Sequence, residues 1–236
     1  MSDIFSRFAP FIQDYIYRCK WEELREIQVL AAEAVFDTDE NLLLSSGTAS
    51  GKTEAAFLPV LTQLWENPSA SVGVLYLSPL KALINDQFER LEGLLEEAAI
   101  PVTKWHGDAS AAAKKRVMKR PQGVIQTTPE SLESMLMHNS SGAYRLFSDL
   151  RFVIIDEMHY FMDNDRGLQL LCLLERLARL IGYHPRRIGL SATLGDCTSA
   201  VRWLNTDSGR DCIVPKCHEK GRALRLSVRF FPVKEK

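Results

Sequence analysis

The chain has 236 residues, of which 46% are hydrophobic and 25% charged, with a formal net charge of −1. That composition supports one large or two small globular domains with a sizeable core. It excludes a global electrostatic pull on nucleic acid, so any basic surface must be local. No apolar run approaches the roughly 18 residues of a membrane span, and the first residues lack the apolar core of a signal peptide. Cysteines at 19, 172, 197, 212 and 217 are odd in number and widely spaced, which argues against a disulfide framework and suits a reducing cytoplasm.

Apolar residues at helical spacing from Ile4 to Ile16 predict a leading amphipathic helix over residues 4–19, and a second helix is expected from about Glu22 to Phe36. Strands and helices then alternate. Strands are expected at 41–45, 72–77, near 101–105, and at 123–126, 152–155 and 187–190. Helices are expected at 52–65, 80–98, 110–119, 129–136, 167–181 and 196–204. Residues 206–222 read as a loop, and 222–233 as one further strand or a connector. Within that loop, Cys212 and Cys217-His218 lack a second ligand pair to close a zinc tetrahedron, so a surface loop is the preferred reading. Continuous apolar strands alternating with helices predict an α/β fold, a mostly parallel central sheet with helices on both faces. Residues 1–36 are expected to form N-terminal helices, 37–205 the main α/β domain, and 206–236 a loop and connector.

Such sheets bind ligands at the carboxyl ends of their strands. Directly after the first strand comes Ser46-Gly47-Thr48-Ala49-Ser50-Gly51-Lys52-Thr53, a small-residue loop that opens a helix. Loop amides and the positive helix end suit phosphate oxygens, Lys52 supplies a charge for the outer phosphates, and Thr53 a hydroxyl for magnesium. Ser46 holds the place of the first glycine of the strict phosphate-loop pattern, and Gly51-Lys52-Thr53 is intact. Asp156-Glu157 follows the continuous apolar strand 152–155. Asp156 is placed to hold magnesium and Glu157 to orient or deprotonate an attacking water; helix capping by Asp156 is the competing account.

Together, Ser50-Gly51-Lys52-Thr53 and Asp156-Glu157-Met158-His159 resemble superfamily 2 helicases of the DExH type, whose first motor domain is RecA-like. The other family motifs follow in order. Leu24-Arg25-Glu26-Ile27-Gln28 resembles the adenine-reading segment, which implies that Gln28 and Arg25 contact the base. Ser78-Pro79-Leu80-Lys81, Trp105-His106-Gly107-Asp108 and Thr127-Thr128-Pro129-Glu130 resemble the motifs that touch a nucleic-acid backbone, which implies contacts from Pro79, Lys81, Gly107, Thr128 and Pro129. Ser191-Ala192-Thr193 resembles the motif that couples hydrolysis to strand movement, with His159 linking it to the nucleotide. The wording around these motifs, including Arg166-Gly167, is most similar to the Lhr-like branch. Two departures stand out: Ala49 replaces a glycine of the loop, and Leu24-Arg25 stand where the family often has Pro-Thr.

The resemblance implies ATP and Mg2+ as cofactors, with ATP bound through residues 47–53, and DNA as partner rather than RNA. It also implies a second RecA-like domain, not found in this chain, that supplies catalytic arginines. The chain alone is therefore expected to hydrolyse ATP very slowly. Rival readings are a double-strand translocase and a non-hydrolysing nucleic-acid scaffold. The basic run Lys114, Lys115, Arg116, Lys119 and Arg120 reads as a solvated helix face, with a peripheral phosphate track as the alternative.

Overall fold

A computed structural model describes residues 3–47, 51–80, 93–96, 98–107, 109–192, 194 and 196–217. Its centre is a sheet of strands β1 (Asn41–Ser45), β2 (Val72–Leu77), β3 (Val102–Trp105), β4 (Gly123–Thr127), β5 (Phe152–Ile155), β6 (Arg186–Ser191) and β7 (Cys212–Ile213). They lie in the order β3-β4-β2-β5-β6-β1-β7, and every pair is parallel. The expectation of a mostly parallel sheet is met by one with no antiparallel pair among the described residues.

Alternate side chains of each strand point to opposite faces, and both faces are covered. Leu42, Leu44, Tyr76 and Ile154 join one core with helices α1 (Asp3–Ser6), α2 (Pro10–Arg18), α3 (Glu26–Asp37) and α4 (Lys52–Glu66). Leu43, Leu75, Leu77 and Ile155 join the other. The helices on that side are α5 (Ala111–Lys119), α6 (Pro129–His138), α7 (Ser140–Phe147), α8 (Asp165–Ile181) and α9 (Thr198–Asn205). This two-sided burial is why the strands read as unbroken apolar runs.

Several expectations are corrected. The leading helix is two, because Pro10 lacks an amide proton and holds Ala9 extended (φ −57°, ψ 149°). The second helix begins at Glu26, not Glu22, with Arg25 extended ahead of it. α7 was not foreseen. Asn139 closes α6 and opens α7, its side chain accepting from the Gly142 amide at 3.0 Å. The stretch read as a loop contains β7, a two-residue strand too short to leave a pattern, held to β1 by the Asn41 amide donating to Asp211 O at 2.9 Å. Most of the helix expected at 80–98 and all of the strand expected at 222–233 lie outside the described residues; residues 93–96 are helical.

Candidate nucleotide and nucleic-acid site

β5, β6 and β1 are neighbours in the sheet, so the segments leaving their carboxyl ends converge. From β1, the loop reaches Gly51, whose φ of +83° is left-handed and costs glycine little. Lys52 and Thr53 open α4 directly after it. The Lys52 ammonium folds back onto its own loop, donating to Ser46 O at 2.7 Å and Gly47 O at 2.8 Å. Gly51 also touches α3. A Cβ there would lie 3.0 Å from Gln28 Nε2 and 3.3 Å from Arg25 Nη1. The Arg25 amide in turn donates to Gln28 Oε1 at 3.0 Å. The segment resembling an adenine reader thus meets the phosphate loop. Thr48, Ala49 and Ser50 lie outside the described residues.

From β5 comes Asp156, only 6% exposed. Both its oxygens are held: Tyr76 OH donates to Oδ2 and the Glu157 amide to Oδ1, the latter at 2.9 Å. Burial pushes the Asp156 carboxyl up from its ordinary value, and the bond from Tyr76 acts against that shift. Glu157 sits at φ +46°, a left-handed conformation costing a non-glycine residue on the order of 1 kcal/mol. Its Oε2 lies 3.3 Å from His159 Nδ1. That ring nitrogen also lies 3.5 Å from Ser191 Oγ and accepts from the Ala192 amide at 3.4 Å. An acceptor at Nδ1 requires the ring proton on Nε2, whereas pairing with Glu157 uses a proton on Nδ1, so His159 stands between two alternative partners. Burial lowers the Lys52 ammonium, and the carboxylates of Glu157 and Asp156 pull it back up. Lysine and acidic pair therefore share one electrostatic site. Thr193 lies outside the described residues.

The second group of predicted residues gathers at the ends of β2, β3 and β4. Pro79, Gly107 and Thr128 line an open cleft of about 520 Å³. Pro129 is buried at the first position of α6, while the Thr128 hydroxyl accepts from the Ser131 amide at 3.4 Å. Thr128 is thus a helix cap as well as a cleft wall. Lys81 lies outside the described residues.

Sequence reasoning passed over three kinds of residue here. Tyr76 read as core, and only the partner strand reveals its bond to Asp156. Ser45 joins loop strand to coupling motif, donating to Ala192 O at 3.2 Å and accepting from the Leu194 amide at 3.1 Å. Arg166 bonds Glu130 Oε1 and Pro79 O, each at 2.7 Å, and so ties two walls of the cleft together. Its presence after the acidic box was the one signal available.

A parallel sheet carrying a lysine loop and an acidic pair on its carboxyl edge defines a RecA-like nucleotide-binding domain of the helicase type. The family described as DEAD/DEAH box helicase matches residues 25–200. The ATP-dependent helicase Lhr-Core of Methanothermobacter thermautotrophicus is 33% identical over 231 residues, covering 90% of this chain and 26% of the relative. The Lhr-Core helicase of Methanocaldococcus jannaschii is 37% identical over 192 residues, covering 74% of this chain and 22% of the relative. The structure of Mycobacterium smegmatis helicase Lhr bound to ssDNA and AMP-PNP superposes with a TM-score of 0.76 at 31% identity, covering 91% of this chain and 28% of that one. The chain belongs to the DEAD/DEAH box helicase family, on its Lhr-like branch. It spans about a quarter of the length of the curated relatives it matches. No described helix is long and apolar enough to cross a membrane.

Proposed function

We propose that this chain is the first motor domain of an ATP-dependent helicase, binding Mg-ATP at the β1–β6–β5 edge and single-stranded DNA in the neighbouring cleft. The observation that carries the reading is the convergence of Lys52 and the Asp156–Glu157 pair on one rim, joined through His159 to Ser191. The residues fit the groups they would hold. Asp156 is a buried carboxylate at a strand end, Lys52 is a cation resting on replaceable backbone carbonyls, and the space above Gly51 is bounded by Gln28 and Arg25.

In this reading Lys52 leaves the Ser46 and Gly47 carbonyls for the β and γ phosphates, with loop residues 47–51 supplying amides. Thr53 and Asp156 would hold magnesium, which would supply positive charge against the phosphate oxygens. Glu157 takes the proton of the attacking water. His159, Ser191 and Thr193 report the state of the nucleotide to the strand track. Gln28 and Arg25 select adenine. Pro79, Lys81, Gly107, Thr128 and Pro129 position the strand's backbone and read no bases. DNA is favoured over RNA because the Lhr relative was solved with ssDNA. Residues 37–205 form the motor domain, residues 1–36 add the adenine segment, and 206–236 lead toward a second RecA-like domain that completes the ATP site. We place the chain in the cytoplasm, since five widely spaced cysteines, an odd number, suit a reducing compartment.

Fluorescent ATP-analogue binding to the 236-residue chain tests the reading. Lys52→Ala is expected to weaken binding by at least about tenfold, the loss of one charge-assisted contact; equal affinity in both proteins would refute the site. A finer expectation concerns Tyr76→Phe. Removing the hydroxyl frees one oxygen of Asp156, and about 1 kcal/mol of positioning is lost. Nucleotide affinity should then require roughly five times more magnesium, while affinity in chelator stays the same. An unshifted magnesium titration would mean that the Glu157 amide suffices to hold the carboxylate.

A further inference from the structure

We propose that Lys114 is a contact for a strand phosphate in the cleft, held in place in advance by Trp105 and the His106 carbonyl. The inference rests on reading that cleft as a single-strand track, and it separates Lys114 from the basic run to which it belongs in sequence.

α5 carries Lys114, Lys115, Arg116 and Lys119, with Arg120 just after it, yet these side chains do not share one environment. Lys115, Arg116, Lys119 and Arg120 are exposed, as a solvated face requires. Lys114 is half-buried and lines the cleft beside Gly107 and Thr128. Its ammonium donates to His106 O at 2.6 Å and lies 5.7 Å from the centre of the Trp105 ring. A carbonyl and an aromatic face hold a cation without neutralising it. Among the described residues no carboxylate forms an ion pair with Lys114, whereas Arg166, the other cation of the lining, is already paired with Glu130 at 2.7 Å.

An ammonium has three donors, and the His106 carbonyl takes one. Two remain for the oxygens of a phosphodiester. The long side chain is also ordered before any ligand arrives, which removes part of the entropic cost of binding. Hydroxyls of Thr128, Ser131 and Ser134 line the same cleft and suit the same oxygens. The chemistry selects a phosphate of the strand and is indifferent to base identity.

The test is the salt dependence of binding between the chain and a fluorescently labelled oligothymidylate, followed by anisotropy. Each phosphate neutralised on a single strand contributes about 0.7 to the slope of log affinity against log salt. Lys114→Ala should lower that slope by about 0.7 and weaken binding about tenfold at low salt. Lys114→Arg should keep the slope, and Lys115→Ala should behave as wild type. Unchanged melting temperature and ATP-analogue affinity would show that the Lys114→Ala protein is folded. If wild type binds with a salt-dependent affinity and Lys114→Ala matches Lys115→Ala, the assignment of Lys114 is wrong while the cleft stands. If wild type shows no salt-dependent binding at all, the cleft is not a strand track and both readings fall.

Discussion

Glu157→Gln is expected to reduce ATP turnover by about two to four orders of magnitude, the range that a positioned general base contributes. That corresponds to roughly 3 to 5.5 kcal/mol of barrier. The side chain is partly exposed beside a buried Asp156, on a left-handed backbone (φ +46°), with its carboxylate 3.3 Å from His159 Nδ1. Glutamine is nearly the same shape and keeps a hydrogen bond to the imidazole, but it accepts no proton from water. Lys52 and Asp156 are untouched, so nucleotide should still bind within a few-fold of wild type and accumulate uncleaved. The measurement is phosphate release by a protein carrying this chain together with a second motor domain, with single-stranded nucleic acid present. Turnover within tenfold of wild type would remove Glu157 from the chemistry. A wild-type protein with no stimulated turnover would favour the non-hydrolysing scaffold.

The second large effect concerns stability. Arg186, 5% exposed at the start of β6, ends against the C-terminus of α3. A helix end leaves its last carbonyls without intrahelical partners. Here the guanidinium donates to Ala34 O at 2.9 Å, Val35 O at 3.0 Å and Thr38 O at 2.7 Å, and also to Glu40 O and the Thr38 hydroxyl. Burial lowers its pKa to about 10, so it remains charged at neutral pH and complements the negative end of the helix dipole. Arg186→Ala removes all five of these contacts at once; Ala34 O and Val35 O keep bonds from the Thr38 hydroxyl and Gln63 Nε2, while Thr38 O and Glu40 O lose the guanidinium, and a loss of about 2 to 4 kcal/mol is expected. Lysine is expected to restore little of it, because one ammonium lacks the planar fork that spans these acceptors. Arg187→Ala should cost less, since among the described residues the Arg187 guanidinium bonds only Leu204 O and Thr206 O. Denaturant unfolding of the three variants gives the comparison, and a loss below about 1 kcal/mol for Arg186→Ala would contradict the account. α3 carries Gln28, so a loosened α3 should also weaken nucleotide binding.

What the sequence by itself determined follows from short-range rules. Apolar runs such as 152–155 mark strands covered on both faces, and the ordered motifs after them identify the family and the sheet edge that carries the candidate site. Ser110, Thr128 and Pro129 mark helix starts within a residue of where they occur, because caps act over three or four positions. Tertiary structure decided the rest. Tyr76 reads as core until Asp156 arrives from a strand 80 residues later. Arg186 lies just outside the expected strand 187–190 and has no role in sequence until α3 presents its carbonyls, and the five basic residues on and just after one helix look alike until the fold turns Lys114 alone of them into the cleft. A local pattern records which way a side chain points along its own element. It carries no record of the group waiting for it on another, and it is those encounters that orient the Asp156 carboxylate and hold the Lys114 ammonium in the cleft.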